Sequence, residues 1–195
     1  MKPYNNIAGV VLAGGKSTRF GSDKALQHID GVPMAARAAD LLSSICGAGV
    51  MISGTPSLYD QLGYTTVPDR KKELGPIGGI VSTLGLDVAP YTLYLPCDMP
   101  GVTPELLARL PEAIGDAEGA YFVSETGRMF PLPALLRHSA IAAAWRIAIN
   151  DTRPMRDLLE SLESVVAVQI SEEEARKLAN CNTVDELDCV LGYTR

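Results

Sequence analysis

The sequence predicts an α/β fold in three layers, with helices on both sides of a mostly parallel sheet. Short apolar runs rich in β-branched residues alternate along the chain with longer amphipathic stretches, as in strand–helix–strand units. Gly-rich or Pro-rich segments follow several of these runs, where a strand would pass into a loop. A length of 195 residues, 47% of them hydrophobic, suits one domain over residues 1–195 with a buried core.

The first half of the chain contains four predicted strands. Residues 7–12 form an apolar run that suits a strand buried on both faces. Three further strands are expected at 50–52, 64–67 and 91–95. An Ala-rich helix is expected at 33–44 with Pro33 in its first turn, and another helix is expected to end near Leu86. A third helix follows Thr103, a good N-cap, with Pro104 at its first position.

The second half is expected to continue the alternation of strands and helices. The predicted strands lie at 120–123, 130–136 and 165–170. The predicted helices lie at 140–149, 155–162, 171–178 and 183–190. The last two helices each begin with a Ser/Thr-x-x-Glu capping box. No internal repeat or linker interrupts this half of the sequence.

Charge is distributed unevenly along the sequence. The formal net charge is −6, yet residues 1–24 carry four basic side chains and one acidic side chain, a charge of +3. The other 171 residues carry 13 basic and 22 acidic side chains, a charge of −9. An acidic chain argues against a nucleic-acid partner. A small positive region suits a compact anion such as a nucleotide polyphosphate.

Other broad classes of protein fit the sequence poorly. No apolar run approaches the roughly 20 residues of a membrane span, and the N-terminus lacks the apolar core of a signal peptide. We therefore expect a cytoplasmic protein without a membrane partner. The four cysteines form no CxxC pair and there are only two histidines, so neither a disulfide scaffold nor a Cys/His metal cage is expected.

Segment 12–24 is the strongest candidate for a ligand site. It follows the first predicted strand, at the carboxyl edge where open α/β sheets bind ligands. Gly14 and Gly15 would let backbone N–H groups approach an anion closely. The cationic side chains that could lie over phosphates are Lys16, Arg19 and Lys24. The segment matches neither a Walker A loop nor GxGxxG, and a Gly-rich turn with solvated basic side chains is the alternative.

The motif Leu-Ala-Gly-Gly-x-Ser-x-Arg-x-Gly-x-Asp-Lys in this segment resembles the signature of nucleotidyltransferases that activate sugars and cofactors with an NTP. This variant is similar to the molybdenum cofactor guanylyltransferases, the MobA family. Three later segments agree in order and spacing: Pro68-Asp69 before 75–79, then 95–100, then 180–183. The resemblance covers residues 7 to about 190. It implies a Rossmann-like nucleotidyltransferase fold, with an NTP-binding half at about 1–100 and an acceptor-binding half at about 101–195.

Asp98 follows the predicted strand 91–95, between Pro96 and Pro100. The residues alone favour a turn or N-cap aspartate slightly over a metal ligand. The order of the strand, the loop and the family motifs together favours Mg²⁺, a hard ion that prefers oxygen ligands. The resemblance makes Arg19, Lys24 and Asp98 the expected catalytic residues, with the two cations on the β- and γ-phosphates.

The resemblance also implies roles for other residues. The expected GTP-binding residues are Leu12, Ala13, Gly14, Gly15, Lys24, Ser53, Asp69, Gly75 and Asp98. The expected acceptor-binding residues are Arg153, Asn180 and Asn182, and Asn182 is also a candidate second metal ligand. Turn formation for Asp69, helix–sheet packing for Gly75 and helix capping for Asn182 remain open alternatives. For Arg153, the residues alone favour a solvated helix start over an acceptor contact.

The reaction implied by the resemblance joins GMP from GTP to the phosphate of molybdopterin or Mo-molybdopterin and releases pyrophosphate. Mg²⁺ is the implied cofactor, and other cofactor-biosynthesis proteins and molybdoenzyme chaperones are the implied partners. Relatives often place Asn after the second strand, where this chain has Ser53-Gly54. A cytidylyltransferase of the same pathway and a sugar-phosphate nucleotidyltransferase therefore stay open. A non-catalytic nucleotide-binding regulatory protein is the alternative from another class.

Overall fold

A seven-stranded sheet forms the centre of the fold. The computed structural model describes residues 2–13, 23–70, 74–150 and 155–181. The sheet strands are β1 (Ile7–Leu12), β4 (Val50–Ser53), β5 (Thr65–Val67), β6 (Tyr91–Pro96), β7 (Gly119–Ser124), β8 (Met129–Arg137) and β9 (Val165–Ile170). Their order is β5-β4-β1-β6-β8-β7-β9. Six of these seven strands run parallel to one another, and β8 runs antiparallel to both of its neighbours. The predicted α/β fold with a mostly parallel sheet is confirmed.

The described ranges contain seven α-helices, six between strands of the chain and one after β9. They are α1 (Met34–Ser43), α2 (Pro56–Tyr59), α3 (Pro76–Leu84), α4 (Pro104–Ala113), α5 (Ile141–Ile149), α6 (Met155–Glu160) and α7 (Glu172–Lys177). No helix in the described part of the chain is long and apolar enough to span a membrane. The helix predicted at 183–190 lies outside the described residues.

Helices cover both faces of the sheet. Buried side chains of α1, α4 and α7 pack on one face, and those of α3, α5 and α6 pack on the other. The central strand β1 contributes to both cores in alternation, with Val11 facing the first and Val10 facing the second. All six β1 residues are buried, which explains why the strand is apolar throughout rather than every second residue.

Two small elements were not predicted from the sequence. β2 (His28–Ile29) and β3 (Val32–Pro33) form an antiparallel hairpin before α1. Asp30 and Gly31 both have positive φ angles, 51° and 80°, as a two-residue hairpin turn requires. The one-turn helix α2 was not predicted either. Helix α1 consequently begins at Met34, and Pro33 belongs to the hairpin as well as preceding the helix.

The helix ends mostly follow the predicted capping residues. The Thr103 hydroxyl accepts a hydrogen bond from the Leu106 N–H at the start of α4. Ser171 and Glu174 form the reciprocal capping box predicted for α7. Helix α6 ends at Glu160 rather than at the predicted residue 162.

Candidate functional site

Four neighbouring parallel strands end level with one another at the carboxyl edge of the sheet. Leu12 of β1 lies opposite Ser53 of β4 on one side and Pro96 of β6 on the other. Ser53 in turn lies opposite Val67 of β5. Each strand passes into a loop at this edge, and the predicted site residues Ala13, Asp69 and Asp98 follow directly in those loops. The register of the sheet therefore brings distant parts of the sequence to one edge.

Lys24 and Asp98 form an ion pair at this edge. The Lys24 ammonium donates to Asp98 Oδ2 across 2.9 Å, although the residues are 74 positions apart in sequence. Their side chains are only 12% and 20% exposed, so water screens the attraction less than it would on an open surface. The two predicted catalytic residues that the structure describes are therefore in direct contact.

The backbone at Lys24 lies in a capped turn. Lys24 begins a short 3₁₀ helix, Lys24–Leu26, and the preceding Asp23 caps it by accepting from the Ala25 N–H at 3.0 Å. The other oxygen of Asp23 accepts from the Tyr59 hydroxyl at 2.6 Å. Neither Asp23 nor Tyr59 was predicted as a site residue. Asp23 lies in the recognised motif, but nothing in the local sequence around Tyr59 points to this contact.

Ser53 and Asp69 form a second polar pair at the same edge. The Ser53 hydroxyl donates to Asp69 Oδ1 across 2.8 Å, and Ser53 itself is 2% exposed. The hydroxyl is therefore committed to Asp69, whereas Asp69 remains half-buried and keeps a second carboxylate oxygen. Of the two residues, Asp69 is the one better placed to contact a ligand.

The start of α3 packs closely against this pair. Gly75 is the N-cap residue and has a φ of +57°, a left-handed conformation that favours glycine. A Cβ at Gly79 would lie 2.5 Å from Ser53 Oγ and 2.8 Å from Leu12 Cδ2. The interpretation of the 75–79 segment as close helix–sheet packing holds for Gly79. The role of Gly75 in nucleotide binding stays a prediction.

The described part of the chain ends beside Asp98. The Cys181 N–H donates to the Asp98 carbonyl oxygen at 2.8 Å, and the neighbouring Asn180 is exposed. The predicted acceptor residue Asn180 thus lies one position from a direct backbone contact with the site. The other predicted site residues lie outside the described residues, and these are Gly14, Gly15, Arg19, Arg153 and Asn182.

Comparison with known proteins identifies the family. A family model described as "MobA-like NTP transferase domain" matches residues 9–166, more than half of the chain. The chain belongs to this family. It is also 34% identical over 197 residues to the molybdenum cofactor guanylyltransferase of Cupriavidus necator, covering 94% of this chain and 95% of the relative. A probable molybdenum cofactor guanylyltransferase of Chloroflexus aggregans is 31% identical, covering 99% of this chain and 97% of the relative.

Solved structures agree with this MobA-like fold. A protein from Aquifex aeolicus superposes with a TM-score of 0.76 at 24% identity, covering 92% of this chain and 94% of the other. Molybdopterin-guanine dinucleotide biosynthesis protein A from Archaeoglobus fulgidus superposes with a TM-score of 0.74 at 23% identity, covering 94% and 96%. The nucleotidyltransferase fold predicted from the sequence is confirmed.

The donor atoms of this MobA-like site suit a hard cation held partly by a substrate. Within the described ranges, no group of three or more His, Cys, Asp and Glu side chains could form a metal cage. Asp98 supplies a carboxylate beside the ends of β1 and β6. Mg²⁺ is commonly held by one or two carboxylates together with waters and substrate phosphates. The Asp98 carboxylate therefore fits Mg²⁺ held together with substrate phosphates.

Cys97 lies next to Asp98 but is a poor nucleophile. Burial raises the pKa of its thiol to about 12, and the neighbouring Asp98 carboxylate acts in the same direction. The thiolate is therefore scarce near neutral pH. Cys97 also lines a mainly apolar cavity of about 310 Å³ between α1, the β2–β3 hairpin and the loop after β6. Cys97 is also 9% exposed and belongs to the buried core on the α1 side of the sheet.

Proposed function

We propose that this family member transfers GMP from GTP to the terminal phosphate of molybdopterin or its molybdenum-loaded form. An oxygen of the acceptor phosphate forms a bond to the α-phosphorus of GTP. The bond from that phosphorus to the oxygen bridging to the β-phosphate breaks, and pyrophosphate leaves with the bonding electron pair. The product is the guanine dinucleotide form of the cofactor.

The observation that carries this proposal is the Lys24–Asp98 pair at the carboxyl edge of the sheet. A cation and a carboxylate held together at a strand end are the groups that nucleotidyl transfer needs, because the reaction brings two anions into contact. The proposal is supported by the similarity, over nearly the full chain, to proteins named molybdenum cofactor guanylyltransferase.

The protein's main task in this reaction is to orient phosphates and to neutralise their charge. The acceptor phosphate is already ionised, so no strong general base is required. Lys24 and Arg19 would hold the β- and γ-phosphates and stabilise the departing pyrophosphate. Residues at the strand ends would bind the rest of GTP, and these are Leu12, Ala13, Gly14, Gly15, Ser53, Asp69 and Gly75.

The proposed cofactor is Mg²⁺, with Asp98 as its protein ligand and Asn182 as a second candidate. When bound, the ion would supply Lewis-acid stabilisation of the charge on the donor phosphate oxygens. The ammonium of Lys24 lies 2.9 Å from Asp98 Oδ2. It would keep this carboxylate oriented toward the phosphates.

We assign donor binding to about residues 1–100 and acceptor binding to about residues 101–195. Arg153, Asn180 and Asn182 are the proposed acceptor contacts. Asn180 supports this assignment because it is exposed and adjoins Cys181, whose N–H donates to the Asp98 carbonyl oxygen. We further propose a cytoplasmic location, with other cofactor-biosynthesis proteins and molybdoenzyme chaperones as partners.

The donor nucleotide is the part of the proposal that most needs a direct test. The last residue of β4 is Ser53, and its hydroxyl already donates to Asp69. Ser53 therefore offers the base no amide of the kind that Asn would offer. This observation keeps a cytidylyltransferase of the same pathway as the second candidate.

The experiment measures pyrophosphate release by the full chain with GTP, CTP or ATP, each with and without molybdopterin and Mg²⁺. We expect release only when GTP, molybdopterin and Mg²⁺ are all present. Release with CTP but not with GTP would replace guanine by cytosine in the proposal. Nucleotide binding without release under any condition would indicate a regulatory nucleotide-binding protein instead.

A further inference from the structure

Tyr59 is buried beneath the proposed site although it belongs to a surface connection. It ends the one-turn helix α2 between β4 and β5 and is 2% exposed. The helix begins with Pro56 at its first turn, and the turn directs the Tyr59 ring back against the backbone of Gly54. A Cβ at Gly54 would overlap the ring at Cε2, so glycine at this position makes room for the ring.

The Tyr59 hydroxyl reaches two acceptors from different parts of the chain. It lies 2.6 Å from Asp23 Oδ2 and 3.1 Å from the Ala13 carbonyl oxygen. A hydroxyl has one hydrogen, and the nearer, charged acceptor forms the stronger bond. Burial and the contact with Asp23 raise the pKa of Tyr59 well above its ordinary value, so the group remains a donor at physiological pH.

Asp23 connects the Tyr59 hydroxyl to the turn that begins at Lys24. One Asp23 oxygen accepts from Tyr59, and the other accepts from the Ala25 N–H at 3.0 Å. Both oxygens are therefore engaged, and the carboxylate is fixed against the turn that begins at Lys24. The Lys24 ammonium then meets Asp98 at 2.9 Å. Hydrogen bonds and one short turn thus connect the Tyr59 hydroxyl to the proposed catalytic pair.

We propose that Tyr59 is a positioning residue for nucleotidyl transfer, acting through Asp23 to orient Lys24 opposite Asp98. The inference rests on the proposed function and adds to it a residue that acts through Asp23 and Lys24. The contact with Ala13 extends the role of Tyr59 to the end of β1. A misplaced ammonium would stabilise the transition state less well, since a displacement of about 1 Å can cost up to a hundredfold in rate.

The alternative is that Tyr59 only fills space in the core. Phenylalanine has the same ring, so a residue that only packs would tolerate Tyr59→Phe with little effect. A positioning residue would not, because the substitution removes the donor to Asp23. The matched control is Tyr64→Phe, which removes another tyrosine hydroxyl bonded at 2.6 Å to a carboxylate, that of Asp40.

The first measurement is steady-state pyrophosphate release by the full chain with GTP, molybdopterin and Mg²⁺. We expect Tyr59→Phe to lower kcat about tenfold, the scale of one hydrogen bond to a charged group, with KM for molybdopterin changed less than twofold. We expect Tyr64→Phe to match the unsubstituted chain. An unchanged kcat in Tyr59→Phe would overturn the proposal.

A double variant tests whether the effect passes through Asp23. If it does, Asp23→Asn should lower kcat by a similar factor, and adding Tyr59→Phe should lower it less than twofold further. Two effects that multiply would show that Tyr59 acts independently of Asp23, and would contradict the proposal.

Amide hydrogen exchange keeps the test separate from the proposed reaction. The Ala25 N–H, which donates to Asp23, should exchange faster in Tyr59→Phe than in Tyr64→Phe, measured without nucleotide. Unchanged exchange would overturn the positioning role even if the enzyme is active. Absence of pyrophosphate release from the unsubstituted chain with every nucleotide would instead refute the proposed function, and the exchange result would then decide the Tyr59–Asp23 link alone.

Discussion

At the scale of single residues, the Lys24–Asp98 pair combines a structural and a chemical role. Two opposite charges 2.9 Å apart and mostly shielded from water stabilise each other. Removing one of them leaves the other without this partner in a site that is only 12–20% exposed. The pair therefore matters for the local structure as well as for the phosphates it is proposed to bind.

We expect Asp98→Ala and Lys24→Ala each to reduce turnover by about a hundredfold or more, because each removes a preorganised contact to the reacting phosphates. The measurement is kcat for pyrophosphate release, with circular dichroism to verify that each variant is folded. Glu160→Gln is the control, since it removes a charge from the exposed Arg156–Glu160 pair and should leave kcat unchanged. A folded Asp98→Ala variant with near-normal turnover would refute the catalytic assignment.

The sequence predicted several residues of this site but not the hydrogen bond between Asp23 and Tyr59 beside it. Asp98 and Asp69 were predicted at the site because each follows a predicted strand and matches a family motif. Ser53 was predicted because it follows a predicted strand, at the position where relatives often have Asn. The Asp23–Tyr59 bond was not predicted, because it joins residues 36 positions apart whose local patterns are those of a turn and a core aromatic. Such a contact depends on the packing of α2 against the sheet, which no short stretch of sequence encodes.

At the scale of secondary-structure elements, periodic segments were predicted well and short ones were not. β1 matches its predicted bounds, and the helix bounds differ from the predictions by a few residues at most of the ends that the structure describes. The hairpin strands β2 and β3 have two residues each, too few for any hydrophobic period. Their one local signal is the Asp30-Gly31 pair, a dipeptide typical of tight hairpin turns.

The contribution of the α7 capping box to stability should depend on pH, because it includes the carboxylate of Glu174. Its N-cap Ser171 N–H donates to Glu174, and Arg109 lies 2.9 Å from the same carboxylate. These contacts lower the pKa of Glu174, the bond to the Ser171 backbone most of all. A carboxylate whose pKa is lowered on folding stabilises the protein above its unfolded pKa, and that stabilisation is lost as pH falls through the folded pKa.

We therefore expect Glu174→Gln to lower the free energy of unfolding at pH 7, and expect the difference from the unsubstituted chain to shrink below about pH 4. Urea denaturation at a series of pH values measures this difference. Glu173→Gln, on the same helix at an exposed position, is the matched control. A difference that stays constant down to pH 3 would show that the charge of Glu174 contributes nothing to the cap.

At the scale of the whole molecule, the sheet edge gathers residues from both halves of the sequence. Tyr59 and Asp69 come from the connections flanking β5, Asp98 follows β6, and Cys181 reaches the site from beyond β9. A ligand bound at this edge would therefore hold several distant segments together, and would stabilise the folded state as a whole.

We expect GTP with Mg²⁺ at about one hundred times its dissociation constant to stabilise the fold by about 2.7 kcal/mol, which would raise Tm by roughly 5–10 °C for a chain of this size. Differential scanning fluorimetry measures the shift. The same concentration of CTP should produce a smaller shift if guanine is the preferred base. An equal Tm shift with GTP and CTP would mean that the protein does not distinguish the two bases when it binds the nucleotide.

The direction of β8 was the global feature that sequence reasoning could not supply. Residues 130–136 were predicted as a strand from their apolar character, and the strand spans Met129–Arg137. An apolar run has the same pattern whether its neighbours run parallel or antiparallel to it. Its position between β6 and β7 depends on the short β7–β8 connection and on long-range pairing with β6.

This placement of β8 also affects how the protein is synthesised. β6 leaves the ribosome early, but its second partner is β8, which is completed roughly 40 residues later, a delay of about 2–8 s at bacterial or eukaryotic elongation rates. During that interval the nascent chain would present one side of β6, a largely apolar strand, with unpaired backbone groups. The central strand of the finished sheet thus has one open edge while the chain is being made, and an open edge is a site for misassociation.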